Sequence, residues 1–141
     1  MEIKVKFDCL GVDWKIVSET LKRVGMAYYE PSLHRKAFKN SYVTVFVYRG
    51  NQMIGFGRAI SDGAYQASIY DVAVIPDFQR MEFGNTIMKS ILDRLPPQCN
   101  IILYASPGKE EFYRKQDFRT MRTGMARFNN PEQMKKKGFT E

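Results

Sequence analysis

Residues 70–88 read YDVAVIPDFQRMEFGNTIM, and their succession of strand, break, polar loop and helix decides the fold. Tyr70 to Ile75 is rich in β-branched residues, as a strand requires, and Pro76 ends it. Beyond the loop, apolar residues recur at Gly84, Ile87, Met88, Ile91, Leu92 and Leu95, which is one face of a helix, stopped by Pro96-Pro97. The loop from Pro76 to Asn85 thus opens onto a helix N-terminus, where unpaired N–H groups and partial positive charge suit a phosphate. Gln79 and Arg80 add donors, and Gly84 lets the backbone approach a ligand closely. On local chemistry alone, such a junction fits plain scaffold as well as a phosphate site. The sequence contains no GxxxxGK[ST], GxGxxG or GxSxG, which sets aside a P-loop, a Rossmann dinucleotide site and a hydrolase elbow.

Upstream, residues 2–7 alternate as a first strand. Asp13 reads as an N-cap, with Trp14, Val17, Leu21 and Val24 on one helical face and Gly25 closing the helix. A second helix is expected from Pro31 to Asn40, with Leu33, Ala37 and Phe38 inward and His34 on the surface. Residues 42–60, YVTVFVYRGNQMIGFGRAI, read as a hairpin turning at Arg49-Gly50-Asn51-Gln52. The turn Ser61-Asp62-Gly63 leads into a third strand, Tyr65 to Ile75. Downstream lie a strand at Asn100–Ala105, a short helix at Glu110–Gln116 with Phe112 inward, and a closing strand at Arg119–Phe128. The order is β-α-α-β-β-β-α-β-α-β. It predicts one mixed α/β (α+β) domain over residues 1–141 on a largely antiparallel sheet, with 129–141 as a C-terminal tail.

Composition sets the bounds. The chain has 141 residues, enough for one core, with 44% apolar and 26% charged residues. No apolar run approaches the roughly 18 residues of a membrane span, and MEIKVKFD alternates instead of forming a signal peptide. Two cysteines, Cys9 and Cys99, without metal spacing suggest packing residues in a reducing cytoplasm; with His34 the single histidine, no metal site is expected. The net charge of +7 suits an anionic partner, although Lys135–Lys137 read as a solvated terminus.

The run VAVIPDFQRMEFGNTIM, with FYRKQDF downstream, resembles the acetyl-coenzyme A site of the GNAT superfamily of N-acetyltransferases, small bacterial-type members in particular. Val74, Pro76, Phe78, Gln79 and Gly84 match its strand and loop motifs, and Tyr113 and Phe118 match its later helix; Pro107-Gly108-Lys109-Glu110 resembles a turn of small bacterial members. The element order agrees from residue 2 to residue 128. Two positions depart: Glu82 stands at the first loop glycine, and Asp117 at the glycine of a Gly-Phe pair.

The resemblance implies a splayed central strand pair, Tyr70–Val74 and Asn100–Ala105, with acetyl-CoA between. It implies that Val72, Ala73 and Val74 contact the pantetheine arm, and that the Val74 N–H polarises the thioester carbonyl. Gln79, Arg80, Met81, Glu82, Phe83, Gly84, Asn85 and Thr86 would hold the pyrophosphate, and Ser106 and Phe112 would complete the cofactor contacts. Tyr113 would protonate the departing thiolate. For deprotonating the amine the candidates are Tyr70, which shares a strand face with Ser68, and Asp71, which alternation turns to the opposite face; a water chain is the remaining route. The acceptor region is MAYYEPSLHRKAF, where Tyr28, Tyr29 and Glu30 would bind a primary amine.

Three functions follow. The first is an acetyl-CoA-dependent N-acetyltransferase acting on a small amine as a cytoplasmic homodimer, with no nucleic acid or membrane partner. The second is a catalytically weakened acyl-CoA sensor on the same fold, favoured by Glu82. The third is a basic nucleic-acid module built on Arg58, Arg119, Arg122 and Arg127, which lacks an accompanying RNP-like aromatic motif.

Overall fold

The computed structural model describes residues 2–141, and these gather into two compact units divided after Leu103. In the first unit a five-stranded sheet has the order β1-β2-β3-β4-β5: Ile3–Lys6, Val43–Arg49, Gln52–Ser61, Gln66–Val74 and Asn100–Ile102. The first four strands pair antiparallel, and β4 and β5 pair in parallel. The hairpin forms where expected: Arg49 pairs with Gln52, and Gly50, with φ at +61°, supplies the left-handed first turn position.

Helices cover both faces of the sheet. α1 (Trp14–Arg23) begins at Asp13, whose carboxylate accepts the Lys15 N–H, and α2 (Pro31–Lys39) follows. They pack through Trp14 and Phe38 onto Phe46 and Phe56, with ring centroids 5.4–5.9 Å apart. α3 (Phe83–Arg94) covers the other face with buried Ile87, Met88 and Ile91. Gly55 and Gly57 make room for it. A Cβ on Gly57 would lie 2.9 Å from Ile87 Cγ2 and 3.1 Å from Ile91 Cδ1. A Cβ on Gly55 would lie 2.7 Å from the Ala73 carbonyl oxygen, so this glycine also holds β4 close to β3.

The buried face of α2 differs from expectation. His34 and Phe38 point inward, His34 only 3% exposed, while Leu33 is turned to solvent. The imidazole tolerates burial because its Nε2 accepts the Tyr29 N–H at 2.9 Å. β2 is interior to the sheet, and Val43–Val47 are buried.

The second unit holds α4 (Glu110–Arg114) and α5 (Pro131–Lys136). The closing strand expected at Arg119–Phe128 does not form; those residues are irregular, and Met125 is 97% exposed. Nor are residues 129–141 a bare tail. Asn130 caps α5 by accepting the Gln133 N–H, Pro131 takes the first helical position, and Lys135 and Lys136 fill its last turn, where cations favour the helix dipole. Tyr104, Phe128 and Phe139 pack edge to face on one another.

Candidate functional site

β4 carries the first element of the site. Between Phe56 and Arg58 on β3 the chain advances two residues, while the opposing stretch from Ala73 to Tyr70 on β4 advances three. The extra residue is a β-bulge, and Asp71 within it has a left-handed φ of +57°. The bulge reverses the expected alternation. Arg58 is opposite Tyr70 in register; its guanidinium lies over the Tyr70 ring at 5.3 Å, and its Nε donates to Asp71 Oδ2 at 2.7 Å. Asp71 and Tyr70 therefore meet on the same face, not on opposite ones. Arg58 also donates to Ser41 Oγ (3.3 Å) and lies over Phe38. Sequence reading missed Arg58 and Ser41 as members of this cluster, because a left-handed aspartate inside a strand has no sequence signal.

The second element is an open strand edge. β4 pairs with β5 only from Gln66 to Ser68, so among the described residues no strand pairs with Val72–Val74 on that side. Ile75 N–H donates to Ile54 O on β3 at 2.8 Å, and alternation then turns the N–H of Val74 to the open edge. The Val74 carbonyl faces the same way and accepts Gln79 Nε2 at 3.1 Å. Gln79 thus braces the loop against the strand. Ala73 faces β3, with its carbonyl against Gly55.

The third element is the loop itself. After a 3-10 turn at Pro76–Phe78, Arg80 and Glu82 both adopt left-handed backbone, with φ at +67° and +69°. Left-handed residues placed in this way turn successive N–H groups of a loop to one side, as in anion nests. Thr86 N–H is bonded to Glu82 O (3.1 Å), whereas the N–H groups of Phe83 and Gly84 at the helix start have no acceptor among the described residues. Met81 is exposed. Asn85 Nδ2 donates to Glu82 Oε2 and so holds this carboxylate beside the helix start. An open strand edge running into a helix N-terminus fits an extended ligand with amide groups along its length and phosphates at its end.

Tyr28, Tyr29 and Glu30 form the connection between α1 and α2. Tyr28 and Tyr29 are 50% and 55% exposed, and Lys22 Nζ stands 5.5 Å from the centre of the Tyr28 ring. Burial pushes the His34 imidazole below its ordinary pKa; Asp71 opposes this and Arg58 adds to it.

Ser106, Phe112 and Tyr113 belong to the second unit. Tyr113 packs edge to face on Phe112 (5.0 Å) and Phe118 (6.1 Å), and burial raises its phenol above the ordinary value of 10.0. The phenol is therefore a proton donor across the neutral range.

Comparison with known proteins agrees with this geometry. The Acetyltransferase (GNAT) domain family matches residues 15–130. The chain is 32% identical over 116 residues to an uncharacterized N-acetyltransferase, ycf52, of Porphyra purpurea, covering 78% of this chain and 60% of the relative. It is 30% identical over 120 residues to the chloroplastic serotonin N-acetyltransferase 2 of Oryza sativa, covering 81% of this chain and 60% of that one. The chain thus spans about three-fifths of the length of these relatives. In fold it resembles a GNAT-family acetyltransferase from Streptococcus pneumoniae with a TM-score of 0.75 at 23% identity, covering 91% of this chain and 98% of the other.

Proposed function

Because the chain belongs to the GNAT acetyltransferase family, we propose that it transfers the acetyl group of acetyl-CoA to the primary amine of a small molecule. The observation that carries this reading is the open edge of β4 at Val72–Val74 leading into the helix start at Phe83. The pantetheine arm adds to that edge as a strand would, and the Val74 N–H donates to the thioester carbonyl. The N–H groups from Arg80 to Asn85, with the Thr86 side chain, receive the pyrophosphate. The family motif assigns further cofactor contacts to Val72 and, in the second unit, to Ser106 and Phe112.

The neutral amine attacks the carbonyl carbon. A C–N bond forms, the C–S bond breaks, and the thiolate leaves with a proton, the task that the family motif gives to Tyr113. The amine's surplus proton passes to water or to the Tyr70–Asp71 cluster, and the phenol regains its proton from solvent. Tyr28, Tyr29 and Glu30 receive the acceptor through ring faces and carboxylate. An arylalkylamine suits two exposed tyrosines, and a relative named a serotonin N-acetyltransferase supports that class.

We also assign the protein to one domain, to a homodimer using the exposed surface at Met121 and Met125, and to the cytoplasm, with the plastid stroma as the other reducing compartment its chloroplastic relatives suggest. Light scattering giving a monomer mass at tens of micromolar would reject the dimer. The cofactor reading is tested by thermal unfolding with CoA: a ligand that binds the native state raises Tm, by an amount that grows with the logarithm of its concentration above Kd. No shift at millimolar CoA would remove both the enzyme and the acyl-CoA sensor.

A further inference from the structure

The backbone of Tyr29 is held from both sides by groups that the reaction does not use. Its carbonyl accepts Ser18 Oγ of α1 at 2.6 Å, and its N–H donates to His34 Nε2 of α2 at 2.9 Å. The His34 ring also lies 5.7 Å from the Tyr29 ring. A short exposed connection would otherwise be free to move; here its central residue is fixed to both helices while its ring stays open to solvent. The His34 contact exists in one protonation state only. An imidazole nitrogen that accepts an N–H carries no proton, and an imidazolium has two donors and no acceptor.

We propose that neutral His34 is a positioning residue for the acceptor, holding Tyr29 and with it Tyr28 and Glu30 in a preformed binding surface, and that protonation of its imidazole releases the connection. This rests on reading Tyr28–Glu30 as the acceptor surface. The charged groups around the imidazole are Asp71 of β4 and Arg58 of β3, bonded to each other, with Glu30 and Arg35 beside it on its own segment. The Arg58–Asp71 pair leaves little net charge to hold a proton on His34, and burial disfavours it. At neutral pH the connection is therefore fastened.

The variants separate the contact from the charge. In His34→Gln the side-chain carbonyl can accept the Tyr29 N–H at every pH; in His34→Phe nothing accepts it. Acceptor and acetyl-CoA KM are measured from about pH 8 down to about pH 5, the span over which histidine titrates. At each pH the ratio of wild type to His34→Gln cancels the protonation of the amine itself. The expected result is an acceptor-KM ratio that rises roughly 3- to 30-fold as pH falls, with the acetyl-CoA KM ratio flat, and a His34→Phe acceptor KM raised by a similar factor already at the upper pH. Hydrogen-exchange protection of the Tyr29 amide should fall along the same pH course in wild type and stay constant in His34→Gln. An acceptor-KM ratio independent of pH, or a His34→Phe variant that binds CoA normally and keeps the wild-type acceptor KM, overturns the proposal. If wild type releases no thiol with any amine, the enzyme reading has failed instead. Tyr29 exchange then still decides the device: protection unchanged across the pH range overturns it.

Discussion

Glu82 and Asp117 share one backbone conformation, with φ at +69° in both. Each stands where the GNAT pattern has glycine, and each occupies a left-handed position that glycine adopts without steric penalty. The acid substitutions therefore act on the backbone as well as on charge.

At Glu82 both effects meet the proposed pyrophosphate. The carboxylate is held by Asn85 beside the helix start, where it opposes an incoming phosphate. Glu82→Gly should tighten acetyl-CoA binding by about 3- to 30-fold, or roughly 0.7–2 kcal/mol. The gain should shrink as salt rises, since screening removes the charge component and leaves the backbone component. Calorimetric Kd values for both forms at low and high salt check this, and equal affinities at low salt would show that Glu82 is harmless.

Asp117 ends α4 in the same way that Gly138 ends α5. Phe118 N–H reaches Tyr113 O (3.1 Å) and Asp117 N–H reaches Arg114 O (3.1 Å); Phe139 N–H reaches Met134 O (2.9 Å) and Gly138 N–H reaches Lys135 O (3.0 Å). Both are Schellman endings with a left-handed residue at the turn. Asp117→Gly should raise stability by about 0.5–1 kcal/mol, and Asp117→Ala, which loses the local polar compensation of aspartate, should lower it. Urea midpoints at unchanged m-value measure both; a lower midpoint for Asp117→Gly would contradict the assignment.

Gly55 sets the spacing of β3 and β4. An added Cβ meets backbone, the Ala73 carbonyl, and backbone cannot rotate away as a side chain can. Gly55→Ala should cost about 1–3 kcal/mol. Because Gly55 pairs with Val74, it should also raise the acetyl-CoA KM. Unfolding and steady-state kinetics on the same preparation test the coupling: a destabilised variant with unchanged KM would detach this glycine from the site.

Tyr113 is raised by burial and so keeps its proton beyond the ordinary phenol range. Its acid function is present below the raised pKa and is lost as pH climbs through it, so kcat should show no phenolic limb below about pH 10. Tyr113→Phe should lower kcat by roughly 10- to 1000-fold with little change in cofactor KM. A Tyr113→Phe enzyme with wild-type kcat would transfer the proton-donor role to water.

Much of this architecture is written locally in the chain. α1 is legible because a cap, a 3.6-residue apolar period and a stop signal agree, and α3 because its period and the Pro96-Pro97 stop agree. The loop at Gln79–Asn85 is legible from the resemblance, and its helix start from the period alone. Other features depend on tertiary contacts. The Asp71 bulge is set by pairing with β3, and it brings Asp71 to Arg58 against the alternation rule. His34 is buried because a backbone donor five residues upstream satisfies it, a partner that periodicity does not reveal. The strand expected at Arg119–Phe128 rests on propensity alone, and strand propensity reflects packing on a sheet more than an intrinsic backbone preference. α5 had its signals in Asn130, Pro131 and Gly138, which the lysine run obscured.

The central claim, acetyl transfer from acetyl-CoA to an amine, is tested most directly by incubating the protein with acetyl-CoA and a panel of arylalkylamines, polyamines and amino sugars, following free thiol and the mass of each amine. The account predicts thiol release with at least one amine, matched mole for mole by an N-acetylated product and strongly reduced in Tyr113→Phe. Thiol release no faster than in the absence of protein for every amine, in a preparation whose Tm rises with CoA, would contradict it and leave an acyl-CoA-binding module in its place.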